Sequence, residues 1–520
     1  MSTTQRLRIR QLAPVIGLLL VLFFIRTHDI LVQNPYVDEG FHIKRAGIVW
    51  TLDQNPGRIS HGKLLLYYWL GLFETGPETA LAASRLGMAV YALITGSAIY
   101  LLGRLLYKHS AGLIALGLYT ILPLSVFYER MAMADPIAAG LAAIIAWRSL
   151  AFARRPDTRH GIEIGVLLAL ATLAKLTMGF MPLLPGIAAL IYTPWHRDGL
   201  VPQIEDFVKR YAPPLVIAAF VVGLIWAPLA IPAYFARNSD DPFLLVDSFN
   251  VRTSAQEPAS PLEYFDETLP LIEQVTTRAL LIALAAAAVY QLASVAWNRR
   301  TFRAGLFVLS WFMLILGLTL VGARLSTLRY VMPLGVPGVL ILGGAASSLA
   351  DIRPPALRWI VRPALAVIIA AWAIQFALPF VRTDLRNPDD LDFSSTNWTE
   401  YQSGYLIADD AVRDAAGALN AIEPHPKPLY ATWWLCHLMY FYTDDPATCL
   451  DYSQPLKDLE PALQSLPPGE SAYVASAGYQ PFLDRVPGLC AEQIGQYDRV
   501  KIRNPLWDVW LWRVWWGSDC

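Results

Sequence analysis

Long apolar runs separated by short polar segments recur through the first 380 residues of this chain. A helix rises about 1.5 Å per residue, so about twenty apolar residues cross a hydrocarbon core of about 30 Å. Runs of this kind centre near Leu19, Ile94, Leu118, Ala143, Leu168, Leu184, Val221, Leu284, Leu314, Val339 and Ile369. They predict a polytopic α-helical membrane protein with about eleven transmembrane helices over residues 1–381. The runs at Leu168 and Leu184 are short and read equally as one bent element. After Val381 the pattern changes. Ser403–Leu419 has an amphipathic helical period, whereas Pro428–Trp433 and Ser471–Ser476 read as short strands, so residues 382–520 are predicted to form a soluble α/β domain. Its last stretch, Trp507–Trp516, reads either as a core strand or as an aromatic face suited to sugar rings or to a membrane interface.

Composition agrees with two environments. Apolar residues make up 55% of the chain and charged ones 16%. The net charge of -1 conceals about nine excess positive charges up to Val381 and about ten excess negative ones beyond it. Lys and Arg collect in short loops on the cytoplasmic side of membrane proteins. Arg6, Arg8 and Arg10 therefore place the N-terminus in the cytoplasm, and the first run carries no small-residue cleavage site, so it stays as an anchor. Counting spans from there puts the other basic loops inside and the C-terminal domain outside, in a plasma membrane. All four cysteines (Cys436, Cys449, Cys490 and Cys520) lie in that domain. An even set in such a compartment suggests disulfides; three pairings are open, and sequence order favours Cys436 with Cys449.

Polar residues at the membrane edge are costly unless they face protein or an aqueous cavity, so the outer loops are where chemistry is expected. The first external loop, residues 34–78, carries Asp38 and Glu39, then His42, His61 and Lys63. A turn holds Arg130 and Asp135; Lys175 stands between two apolar runs; a further loop spans 237–273; Arg324, Arg329 and Tyr330 end the series. Acids, cations and aromatic rings on one face suit a phosphorylated ligand whose tail lies in lipid, an acid acting as base and the cations holding phosphate. No Gly-rich phosphate loop followed by Lys and Ser or Thr occurs, which argues against ATP hydrolysis.

The ordered motifs are an Asp-Glu pair in the first loop, a Lys before Leu-x-Tyr-x-Trp-Leu, Arg-Met-x-x-x-Asp-Pro, and Arg-Tyr-x-x-Pro. Together they resemble those of the membrane glycosyltransferases with the GT-C fold, in particular the protein O-mannosyltransferase and aminoarabinose transferase group. The resemblance covers about the first 350 residues. It implies that Asp38 is the catalytic base or positions the acceptor, with Glu39 beside it. It also implies that Lys63 and Arg329, with Tyr330, bind the donor phosphate, and that Asp135 is the acid of the second loop. His61, Arg130, Lys175 and Arg324 complete the candidate set. Leu64 and Leu65 stand where the family often has two prolines. The implied reaction moves a sugar, with inversion, from a polyprenyl-phosphate donor to a protein, lipid or glycan acceptor outside the membrane; nucleic acid is not an expected partner.

Each assignment has a plainer rival. Asp38 and Glu39 also read as solvated loop acids, Asp135 as a helix cap, Lys63 and Lys175 as snorkelling residues, and Arg329 with Tyr330 as interfacial anchors. His42 and His61 near Asp38 leave a divalent metal open, and no other cofactor is expected. A transporter or flippase for a lipid-linked or anionic substrate is the alternative function. The clustering of ionisable groups at span ends rather than mid-span weighs against it.

Overall fold

The computed structural model describes residues 3–73, 76–193, 200–238, 243–246, 261–322, 328–351, 355–391, 410–423, 425–450, 455–467, 469–477, 488–498 and 508–516. A helix stands at each of the eleven predicted centres. Among the described residues, seven helices are long and apolar enough to cross a membrane. His109–Ile121 and Pro123–Glu129, bent by 61° to one another, are long and apolar enough only as a pair, as a broken span or a re-entrant loop; Gln11–Thr27 and Leu176–Tyr192 are apolar but shorter.

Helix α1 (Thr3–Thr27) is followed by α2 (Val37–Val49), α3 (Pro56–Ile59) and α4 (Leu64–Gly71). The first external loop is thus largely helical. Asn55 caps α3 by accepting from the Gly57 N–H at 2.9 Å, and Pro56 at its first turn has no N–H to leave unpaired. The bundle continues through α5 (Pro77–Leu106), α6 (His109–Ile121), α7 (Pro123–Glu129), α8 (Ala134–Arg154), α9 (Thr158–Ala174), α10 (Leu183–Tyr192) and α11 (Leu200–Ala236). It closes with α12 (Pro261–Thr276), α13 (Arg278–Ala293), α14 (Arg299–Gly322), α15 (Gly335–Leu349), α16 (Pro355–Trp372) and α17 (Leu378–Arg386). Small residues let these helices approach closely, as where Gly103 of α5 lies against the Gly112 backbone of α6.

The runs at Leu168 and Leu184 form two elements. Between them lie Lys175 and a 3-10 turn, Leu176–Phe180. Lys175 is paired with Asp135 at the start of α8, whereas Thr193, just after α10, donates at 3.0 Å to Tyr211, whose hydroxyl donates at 2.8 Å to Ala153 O near the end of α8. α9 and α10 therefore run in opposite directions along α8. Its 21 residues separate the two ends of the bundle by about 30 Å. Asp135 and Lys175 mark one end. Arg154 marks the other, and the same logic along α15 sets Lys108, which donates to Ser347 O at 2.8 Å and pairs with Asp351, away from Arg329.

Buried ion pairs tie the site end together. Arg85 on α5 binds Glu39 through Nε at 2.9 Å and Nη2 at 2.7 Å. Arg26 at the end of α1 binds Glu129 at 2.9 Å, and Arg130 approaches Asp384 of α17 at 3.3 Å. All six side chains are fully enclosed.

The C-terminal part contains α18 (Asp410–Asn420), α19 (Trp433–Met439), α20 (Pro455–Gln464) and five strands: β1 (Leu429–Thr432), β2 (Ala447–Leu450), β3 (Ser471–Ala477), β4 (Leu489–Tyr497) and β5 (Val509–Trp516). The sheet order is β2-β1-β3-β5-β4, with β1 parallel to β2 and β3, and β5 antiparallel to β3 and β4. The aromatic last strand is thus interior to the sheet, with Val509, Leu511, Trp512 and Val514 buried. Cys436 on α19 is bonded to Cys449 on β2, and Cys490 is disulfide-bonded as well. The N-terminal part of the predicted tail helix, residues 403–409, lies outside the described residues.

Removing one partner of a buried pair leaves an uncompensated charge, at a cost of about 3–5 kcal/mol. Glu39→Ala is accordingly expected to lower the unfolding free energy by about that much, read from denaturant unfolding in detergent. An unchanged transition would remove Glu39 from the structural role assigned to it.

Candidate active site

The N-terminus of α2 separates two adjacent acids. Glu39 turns into the protein, where its carboxylate accepts from Arg85, from Tyr36 N–H at 2.7 Å and from Ala132 N–H at 2.8 Å. These bonds fill its acceptor positions and leave it no exposed surface. Asp38 is held by a different set and remains 24% exposed. Arg329 Nη1 donates to Asp38 Oδ2 at 2.5 Å, and Lys63 Nζ lies 3.6 Å from the same oxygen. Residues separated by 291 positions in sequence thus meet at one carboxylate.

Local structure explains both cations. Lys63 immediately precedes α4, and its backbone N–H is held by Ser60 Oγ at 3.0 Å, so its side chain projects back toward α2. Arg329 lies in the 3-10 segment Leu328–Leu334 that leads into α15. Its guanidinium sits 5.6 Å from the Tyr36 ring centroid and 5.4 Å from that of Tyr330. Lys175, paired with buried Asp135, lies 4.1 Å from the Tyr330 ring on the same side of the assembly. Tyr330 therefore joins the two ion pairs through cation–π contacts.

Burial alone would raise the Asp38 carboxyl. The charges of Lys63 and Arg329 outweigh it and hold the group well below the usual carboxylate range. His42 moves the other way, since burial and the Lys63 ammonium keep its imidazole neutral. Its Nδ1 meets the Asp38 carbonyl and its Nε2 accepts from Lys63 Nζ at 3.0 Å. With both ring nitrogens engaged, and an ammonium where a metal would bind, the residues here do not fit a divalent ion. No cluster of three or more metal-ligating side chains occurs among the described residues.

Of the sequence candidates, Asp38, Lys63, Arg329 and Tyr330 converge, and Asp135 with Lys175 joins them through Tyr330. His61 stacks on Phe41 at 5.9 Å. Glu39 is placed as a clamp between α2 and α5. Arg130 is likewise occupied elsewhere, donating to Ile25 O and His28 O at 2.8 Å and to Asp29 O at 2.9 Å. Arg324 lies outside the described residues. Two neighbours escaped sequence reading. Arg45 follows Asp38 by seven positions, a helical spacing that would have placed both on one face of α2. His437, from the C-terminal domain, approaches the Phe41 ring edge-on at 5.0 Å, and no local pattern signals that contact.

That contact requires a glycine. A Cβ at Gly40 would meet the His437 carbonyl oxygen at 2.2 Å. Gly40→Ala is expected to push α19 off α2 while leaving the spans in place, seen as faster proteolytic release of the C-terminal domain from otherwise intact protein. Unchanged protection would show that the two helices have room to give.

Comparison with known proteins follows this geometry. Residues 67–226 match the family model described as dolichyl-phosphate-mannose-protein mannosyltransferase. No curated protein matches the chain in sequence. The crystal structure of ArnT from Cupriavidus metallidurans bound to undecaprenyl phosphate is similar, with a TM-score of 0.60 and 16% identity over 97% of this chain and 98% of that one. The oligosaccharyltransferase of Archaeoglobus fulgidus in the apo form has a TM-score of 0.53 and 13% identity, covering 85% of this chain and 65% of that one. The same organism's AglB in complex with an inhibitory peptide and a dolichol-phosphate has a TM-score of 0.52 and 13% identity, covering 90% and 69%. Taken with its apolar helices and C-terminal sheet, these matches make the chain a multi-pass membrane protein of the GT-C glycosyltransferase fold.

Proposed function

We propose that this protein transfers a sugar from a polyprenyl-phosphate donor to an acceptor hydroxyl at the outer membrane surface, with inversion at the anomeric carbon. The observation that supports this most is the Asp38 carboxylate bridged by Lys63 and Arg329 at one end of the bundle. The similar structures were obtained with undecaprenyl phosphate and with a dolichol-phosphate. The basic residues Lys108 and Arg154 lie at the opposite end, and by the positive-inside rule that end is cytoplasmic. The N-terminus is then cytoplasmic, and the disulfide-bearing domain lies outside.

In the mechanism, the donor phosphate enters between Lys63 and Arg329. As the bond from the anomeric carbon to the phosphate oxygen breaks, that oxygen keeps the electron pair, and the two cations stabilise the growing charge. Their shift toward phosphate also changes Asp38. Losing part of its cationic neighbourhood raises its proton affinity when an acceptor hydroxyl must be deprotonated, so donor binding prepares the base.

The test is release of polyprenyl phosphate from a panel of labelled polyprenyl-phosphate sugars by the full-length protein in lipid. Asp38→Asn is expected to lower turnover by about 10²–10⁴-fold while retaining donor binding. Full activity in that variant would exclude Asp38 as base, and uptake or flipping without sugar transfer would favour the transporter.

The pH profile supplies a second check. A base is active once ionised, so its acid limb falls at its own pKa, and in the free protein Asp38 lies below the ordinary carboxylate value of about 4. The kcat/KM profile should lack an acid limb above that value. In Arg329→Gln, with one lowering charge removed, such a limb should appear at higher pH; an identical profile would mean that Arg329 does not govern Asp38.

A further inference from the structure

Two turns along α2 from Asp38 stands Arg45, with Phe41 and His42 between them on the same face. At 1.5 Å per residue the Asp38 and Arg45 backbones lie about 10 Å apart. The enclosed arginines Arg26, Arg85 and Arg130 each meet a carboxylate. Arg45 meets none among the described residues. Its guanidinium lies 3.4 Å over the Phe41 ring centroid, and its hydrogen bond to Tyr67 Oη is long, at 3.5 Å. Lys44 beside it reaches Cys449 Sγ at 3.7 Å and no carboxylate among the described residues.

Two histidines flank the Phe41 ring. His61 stacks on Phe41 from the first loop, and His437 approaches the same ring from the C-terminal domain. His437 Nδ1 is buried and has no hydrogen-bond partner among the described residues. Burial, with Arg45 and Lys63 nearby, pushes His61 down to about 4; burial, with Lys44 and Arg45, pushes His437 down to about 4. Both rings are neutral near pH 7; the His61 ring is engaged by the Leu244 backbone, whereas His437 Nδ1 has no such partner among the described residues. This part of α2 thus gathers two cations that contact no carboxylate among the described residues and one buried imidazole nitrogen without a partner there, a combination that is costly to enclose and that an anion would satisfy.

We propose that Arg45, Lys44 and His437 form an anion subsite, separate from the Lys63–Arg329 pair, that takes a phosphate or carboxylate carried by the acceptor. The word acceptor rests on the transferase reading; the anion subsite itself does not. The spacing along α2 sets the acceptor's reacting hydroxyl at Asp38 and its charge at Arg45. Because His437 belongs to the C-terminal domain, that domain takes part in acceptor choice.

The test uses the full-length protein in neutral lipid nanodiscs, first saturated with polyprenyl phosphate, with binding of inorganic phosphate followed by phosphorus NMR. Phosphate should still bind, Arg45→Gln should weaken it about tenfold or more, and Arg45→Lys should retain part of the affinity. Lys63→Gln should weaken the lipid phosphate and leave inorganic phosphate unaffected. No phosphate binding to the saturated wild type, or unchanged binding in Arg45→Gln, would overturn the subsite. Loss of lipid-phosphate binding alone would count against the donor reading instead. In transfer assays with one alcohol offered with and without a phosphate group, the phosphorylated form should have the lower KM, and Arg45→Gln should abolish that preference. Equal use of both forms by the wild type would overturn the link to the acceptor.

Discussion

The site depends on the ion pair between Glu39 and Arg85. An ion pair with no exposed surface is stable only when its remaining donors and acceptors are also satisfied, and here Tyr36 N–H, Ala132 N–H and the carbonyls of Ile30, Gln33 and Asn34 do so. The pair fixes the first turn of α2 against α5 and against the segment between α7 and α8. Asp38 precedes Glu39 on that turn, so anchoring one carboxylate sets the direction of the other. The neighbouring pairs, Arg26 with Glu129 and Arg130 with Asp384, hold α1, α7 and α17 around the same point. Charges that would be expensive in a bilayer are thus spent on geometry, and the partly exposed acid inherits a rigid mount.

Much of this architecture was legible. Apolar run length is set by bilayer thickness and therefore survives in any sequence that spans it, which is why a helix stands at every predicted centre. The convergence of Asp38, Lys63 and Arg329 was legible only through the order of the motifs, since nothing local joins position 38 to position 329. The division of labour between Asp38 and Glu39 was not legible. Both acids have the same chemistry, and only the position of Arg85 on α5 decides which is enclosed. Arg130 illustrates the same point: its motif reads as a site, yet its guanidinium closes the end of α1. The first loop was read only as a loop, because α2 and α3 mix polar with apolar residues and the apolar α4 is eight residues long, well short of a span.

The C-terminal domain packs against the membrane part rather than hanging from it by a linker. Arg413 donates to Asn34 at 3.1 Å, and α19 meets α2 where Gly40 removes the side chain that would separate them. The helix bearing Asp38 is therefore clamped by α5 on one side and by α19 on the other. Of these two contacts, the first lies within the bundle and the second joins residues nearly 400 positions apart.

That long separation has a consequence for the order of biogenesis. Residues 38 to 63 leave the ribosome and are inserted long before residue 437 has been made. The bundle can gather Asp38, Lys63 and Arg329 from its own helices, but the ring that His437 sets against Phe41 arrives only after the C-terminal domain has been made. A newly inserted chain thus acquires the contacts among Asp38, Lys63 and Arg329 before the contact between α19 and α2, and the packed pair of helices marks a chain whose synthesis is complete.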